Sequence, residues 1–220
     1  MRIGILGTGN VGRALAAGWL RAGHDVVLGS RRPGDEELLT GLKELLQAGL
    51  RVDDPAGTAA HAEVLVNATP GTASVALLAS IGAPALAGKV LLDVAVGFLE
   101  DESLSHPVVS LGEEIQQAFP DTRVVKTLCT IDREVMVAPD SLAGPSTLFL
   151  SGEDAEAKRT VGGLLSDLGW PAESLLDLGG ITTARGQEHF ALLFVGIALS
   201  TGTFAFSIRV VPPAARPEAS

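Results

Sequence analysis

Three glycines near the amino terminus carry the first chemical signal. Gly7, Gly9 and Gly12 stand in the run Gly7-Thr8-Gly9-Asn10-Val11-Gly12, directly after the apolar stretch 2–6 and directly before a helical pattern over 14–20. Strand, G-x-G-x-x-G and helix in that order form a pyrophosphate cradle. Gly7 permits a tight turn, Gly9 lets the backbone approach a phosphate, and Gly12 lets the helix pack close to the strand. The free N–H groups of the first helical turn then face the anion. A second signal closes the next apolar run. A site for a ribose 2′-hydroxyl usually places Asp or Glu there, roughly 20 residues past the glycines. This chain instead reads Ser30-Arg31-Arg32. No carboxylate stands there to repel a 2′-phosphate, and a hydroxyl with two guanidinium groups suits one. The two signals together predict NADP(H) rather than NAD. The plainer alternative has Arg31 and Arg32 beginning a solvated loop.

These residues need a scaffold, and the rest of the chain supplies its pattern. Strand-like runs at 3–6, 26–28, 64–67, 90–93, 123–126 and 147–151 alternate with helix-like segments at 10–21, 36–48, 71–81, 113–119, 154–168 and 183–200. A short, weak strand is read around 50–52. This alternation predicts an α/β fold, a Rossmann-type doubly wound parallel sheet. A small C-terminal α/β extension ends in a long apolar helix. The expected division is a nucleotide-binding domain over 1–144, an extension on the substrate and dimer side over 145–210, and a flexible tail over 211–220. Ligands of such sheets sit beyond the carboxyl ends of the strands. That rule selects Ala68, Thr69 and Pro70, then Ala95, then Cys129, Thr130 and Ile131 as further lining residues.

Composition narrows the classes. The 220 residues carry a formal charge of −10, which argues against a nucleic-acid groove. Cys129 is the single cysteine, so no internal disulfide or CxxC metal site is available, and a reducing cytoplasm fits. The first apolar strand is too short for a signal peptide. Residues 190–208 contain no charged side chain, long enough for a membrane span. The small residues Gly196, Ser200 and Gly202 inside that run favour instead a helix buried between two copies of the chain.

Other polar residues have two readings each. Cys129 is either core lining or a reactive thiol. Lys126 is read as a solvated stem at a strand end, with a phosphate contact as the alternative. Arg185, Glu188 and His189 share little more than one helical turn, which fits local salt bridging. Arg185 is the best of the three for gripping an anionic substrate. No spacing suggests a metal site, and no nucleophile is assigned.

The segments MRIGILGTGNVG, GHDVVLGSRRP, VLVNATP, VVKTLCTI, STLFLSGEDAEAK and ARGQEHFALLF together resemble NADPH-dependent oxidoreductases of coenzyme F420. They are also similar to the cytosolic NADPH-binding domain of six-transmembrane metalloreductases. The resemblance covers roughly 1–210. It implies direct hydride transfer between NADP(H) and a deazaflavin, or a flavin, with no catalytic side chain. It puts Thr8, Gly9, Asn10 and Val11 on the pyrophosphate and Ser30, Arg31 and Arg32 on the 2′-phosphate. Ala68, Thr69 and Pro70 line the ribose and nicotinamide, and Thr130 and Ile131 face the second ring. The chain departs from many relatives in three places. It has Ala95-Val96-Gly97 where they carry Asn-Pro, Cys129 where they carry Asn or His, and a charged Asp132-Arg133-Glu134 in the expected pocket. Two rivals stay open: reduction of a flavin, ferric chelate or small imine or carbonyl, and a non-catalytic NADP(H) sensor.

Overall fold

A computed structural model describes residues 1–213. Six parallel strands form the central sheet: β1 (Arg2–Leu6), β2 (Asp25–Gly29), β3 (Arg51–Asp53), β4 (Val64–Asn67), β5 (Val90–Asp93) and β6 (Arg123–Lys126). Their spatial order is β3-β2-β1-β4-β5-β6, the doubly wound arrangement. The order reverses between β1 and β4, whose Leu6 and Asn67 lie side by side in register. That pair marks the crevice where a nucleotide binds in such sheets. The strands are continuous apolar runs because helices cover both faces. Ile3, Ile5, Val64, Val66 and Leu92 pack into one core, and Leu6, Leu65, Leu91 and Val124 into the other.

Several helices begin where short polar side chains cap them. Asp35 accepts from the Leu38 N–H and opens Glu36–Gly41, and Asp154 accepts from Ala157 and opens Ala155–Asp167. Ser110 and Glu113 form a reciprocal capping box at the start of Leu111–Ala118. The expected single helix over 36–48 is two helices, Glu36–Gly41 and Lys43–Gln47, broken at Leu42. Leu42 turns inward, 1% exposed, so core packing overrides helical propensity there.

The last expected strand does not join the main sheet. It is β7 (Leu148–Leu150), paired in parallel with β8 (Leu175–Asp177), which has no clear sequence pattern. A single antiparallel bridge, Lys126 to Ser151, ties this small sheet to β6. Trp19 of the first helix donates its indole N–H to the Leu164 carbonyl at 3.0 Å, and Trp170 donates to Met136 at 3.0 Å. One hydrophobic cluster therefore runs from Ile3 through Trp19 to Val161 and Trp170, across residue 145.

The C-terminal helix spans Ala184–Thr201 and stops at Gly202, whose φ of 72° is left-handed. The chain then folds back, and Phe206 stacks on Phe194 at 4.7 Å between ring centroids. No helix among the described residues is long and apolar enough to cross a membrane. Residues 214–220 of the expected tail lie outside the described residues.

Candidate functional site

A cleft of about 1000 Å³ opens at the carboxyl ends of β1, β2 and β4. Gly7, Thr8, Gly9, Asn10 and Val11 form one wall, Gly29, Ser30, Arg31 and Arg32 one end, and Ala68, Thr69 and Pro70 the opposite side. Ile131, Asp132, Arg133 and Met136 close it with Phe194 of the C-terminal helix.

The glycine loop has the expected construction. Gly7 sits at φ 117°, and a Cβ there would strike the Ala68 carbonyl. A Cβ on Gly12 would strike the Gly7 carbonyl, so loop and helix are in backbone contact. Gly9 differs: nothing lies within 4 Å of a Cβ built on it. The space beside Gly9 opens into the cleft, as a phosphate cradle requires. Arg13 braces the loop from below, donating to the Thr8 carbonyl at 2.8 Å and the Gly41 carbonyl at 3.0 Å.

At the β2 end, the Ser30 hydroxyl accepts from the Arg32 N–H at 3.1 Å. Arg32 lies 3.7 Å from Asp35, whereas exposed Arg31 has no hydrogen bond or ion pair among the described residues. One cation is thus partly balanced and the other is available to an anionic ligand.

On the opposite side, a chain of hydrogen bonds leads out of the cleft. The Thr69 hydroxyl donates to Asn67 at 2.6 Å, and the Asn67 amide donates to Asp93 at 2.8 Å. Asp93 meets the Lys126 ammonium at 2.9 Å, and Lys126 meets Glu188 at 2.8 Å. Lys126 is completely buried, which corrects its reading as a solvated stem. Burial alone would depress its pKa, but the Asp93 carboxylate, with Glu188 and neighbouring groups, outweighs that and raises it. Glu188 also accepts the Leu111 and Gly112 N–H groups at 2.9 and 3.1 Å, at a helix N-terminus that favours an anion.

Several expected lining residues are placed elsewhere. Ala95 is buried behind the cleft and its carbonyl is held by Lys126 Nζ. A Cβ on Gly71 would strike the Gly97 backbone, and a Cβ on Gly97 would strike the Ser105 hydroxyl, so the close packing favours glycine at both positions. Leu128, at φ 64°, turns the chain after β6 and enters the core. Ile131 reaches the cleft, but Cys129 and Thr130 do not line it. The Cys129 sulfur lies 3.9 Å from the Gln187 amide oxygen, and burial pushes the thiol up to about 12. The Thr130 hydroxyl is buried without a partner among the described residues.

Arg185 is likewise diverted. Its guanidinium forms two hydrogen bonds of 2.6 Å to the Glu113 carboxylate, outside the cleft. Those bonds hold Glu113 well below the usual carboxylate range, at about 2. Met136 and Phe194 are lining residues that local sequence did not single out, because each is an ordinary apolar residue with no motif around it.

Residues 2–97 match the family described as NADP oxidoreductase, coenzyme F420-dependent. A solved structure from Arthrobacter sp. FB24, described as an F420-dependent NADP-reductase, is 38% identical with a TM-score of 0.88, over 96% of this chain and 99% of that one. The chain belongs to this family. Metalloreductase STEAP3 of Rattus norvegicus is 30% identical over 191 residues, or 87% of this chain. The chain spans 36% of that relative's length. A reductive aminase from Aspergillus terreus, solved with NADPH and ethyl-5-oxohexanoate, shares the fold at a TM-score of 0.67 and 22% identity, over 91% of this chain and 63% of that one. As a member of the NADP oxidoreductase family, the chain carries its matched segment, 2–97, on the glycine loop, the Ser30–Arg32 end and the Ala68–Pro70 wall.

Proposed function

We propose that this NADP oxidoreductase passes hydride between NADP(H) and coenzyme F420. The observation that carries the reading is the shape of the cleft. It begins at the glycine loop and Arg31 and continues past Thr69 to an end where the apolar Ile131, Met136 and Phe194 stand beside Asp132 and Arg133. That leaves room for a second planar ring beside the nicotinamide.

The residues fit the cofactor. In this reading Gly7, Thr8, Gly9, Asn10, Val11 and Gly12 hold the pyrophosphate through backbone N–H groups. Ser30, Arg31 and Arg32 hold the 2′-phosphate, and Ala68, Thr69 and Pro70 flank the ribose and nicotinamide. When bound, NADPH supplies the hydride. Ile131, Met136 and Phe194 orient the acceptor and exclude water, which shortens the search for a reactive geometry. No nucleophile or obligatory proton donor is needed.

A smaller acceptor is the second reading, favoured by Asp132 and Arg133 in the same wall. Charged groups there crowd a large polyanionic tail and suit a flavin, or an imine or carbonyl. Mixing the protein with NADPH and oxidised coenzyme F420, with FMN and a cyclic imine in parallel, separates the two. Rapid paired loss of NADPH and deazaflavin absorbance supports the first. NADPH oxidation only with FMN or imine replaces it with the second.

We also propose a homodimer formed through the C-terminal helix, in a cytoplasmic setting that suits a lone cysteine. Leu192, Leu193 and Leu199 of that helix are 47, 58 and 76% exposed, an apolar face suited to a second copy. Light scattering should give twice 22.6 kDa, and L193E should halve it. A monomeric parent protein would remove this proposal.

A further inference from the structure

Behind the tips of β4, β5 and β6 lies a charged cluster that cofactor anchoring does not require. Lys126 is fully buried between Asp93 at 2.9 Å and Glu188 at 2.8 Å, and both carboxylates are buried with it. One cation faces two carboxylates; burial pushes the Asp93 carboxyl up while the Lys126 ammonium beside it pulls it down, and with both carboxylates ionised the cluster carries one surplus negative charge. The Leu111 and Gly112 N–H groups spread part of that charge over a helix N-terminus without cancelling it. Other charged groups nearby do not balance it either. Arg185, one turn earlier on the same helix, is committed to Glu113, and the Cys129 thiol stays protonated. Buried ion clusters of this kind often do no better than break even against apolar packing. Stability alone is a poor account of this one.

Its position suggests another. Asp93 binds Asn67, and Asn67 binds Thr69, which lines the cleft. The surplus charge therefore stands two hydrogen bonds behind the wall assigned above to the nicotinamide. We infer that the Lys126–Asp93–Glu188 cluster tunes the redox preference of the site, favouring the cationic oxidised nicotinamide over the neutral reduced one. The inference rests on the NADP reading. Loss of hydride from the nicotinamide sends two electrons and one proton to the acceptor and leaves one positive charge on the ring. A fixed negative charge in buried surroundings attracts that cation with little screening by salt. The surplus charge is built into the fold before reaction, so no reorganisation is needed when the ring charge develops. The bound couple is thereby a stronger hydride donor than the free one.

The test compares dissociation constants for NADP⁺ and NADPH, by calorimetry on the full chain, in the parent protein, E188Q and D93N. Each substitution replaces a carboxylate with an amide of nearly the same shape and brings the surplus charge to zero. Thermal unfolding checks the fold of each, and if one variant fails to fold the other carries the test. The ratio Kd(NADP⁺)/Kd(NADPH) is expected to rise roughly 3- to 10-fold in both variants. A merely structural cluster would weaken both forms together. An unchanged ratio, or a rise in one folded variant without the other, overturns the inference. Failure of the parent protein to bind either form overturns the NADP reading instead.

Discussion

Arg185 and Glu113 form a two-pronged ion pair, Nε to Oε2 and Nη2 to Oε1, both at 2.6 Å. The pair joins the C-terminal helix to the capping box of Leu111–Ala118, because Glu113 also accepts the Ser110 N–H at 2.9 Å. Arg185 is thus a strut between two helices. R185A is expected to destabilise the fold, though only modestly, since half of the Arg185 side chain is exposed and water screens the pair. Chemical denaturation measures that cost. NADPH affinity should be unchanged; a large loss would return Arg185 to the binding site.

The same pair predicts a pH dependence. Glu113 is held at about 2, below its ordinary 4.5. A depressed carboxylate contributes stability above its unfolded value and loses it as pH falls through its folded value. The stability of the parent protein should therefore decline between about pH 4.5 and 2, and E113Q should show a shallower decline there. Thermal melts across that range measure the difference, and parallel slopes would contradict the assignment.

Arg31 and Ser30 decide the choice of cofactor in the proposed site. R31A and S30D are each expected to weaken NADP binding roughly 10- to 100-fold, the worth of a charge-assisted hydrogen bond, and to leave NAD binding nearly untouched. Titration with both cofactors reads this directly. Equal losses for the two would show that these residues do not meet a 2′-phosphate.

Gly9 tests the cradle itself. The space beside it is open, so G9V should fold normally. Its side chain would occupy the volume assigned to the pyrophosphate, and binding of both cofactors should fall by at least 100-fold. Undiminished affinity in a folded G9V would place the nucleotide elsewhere.

Cys129 should be unreactive. With its thiol pushed up to about 12, only a very small fraction is thiolate at pH 8. Alkylation by iodoacetamide should be far slower than for a free thiol, and C129S should keep its activity. Rapid alkylation of the native protein, or loss of turnover in C129S, would make the thiol part of the chemistry.

The glycine loop and the Ser30–Arg32 end were legible in the residues because both depend on local backbone geometry. A tight turn at Gly7, an open flank at Gly9 and the end of a strand are properties of a few consecutive residues. The parallel sheet was legible for a similar reason, since strands covered on both faces are unbroken apolar runs. Lys126 shows the other case. At the end of a strand it looks solvated, and its burial follows from Asp93 on β5 and Glu188 on the C-terminal helix, which approach it through long-range packing. Arg185, Phe194 and β8 follow the same logic, and so does the break at Leu42. Each depends on a partner from a distant segment, and the free energy of that contact exceeds the local preference written in the neighbouring residues. The chain's own order of residues thus specifies a nucleotide cradle and the sheet beneath it. The assembled core specifies which charges are buried, which are paired, and which side chains close the far end of the cleft.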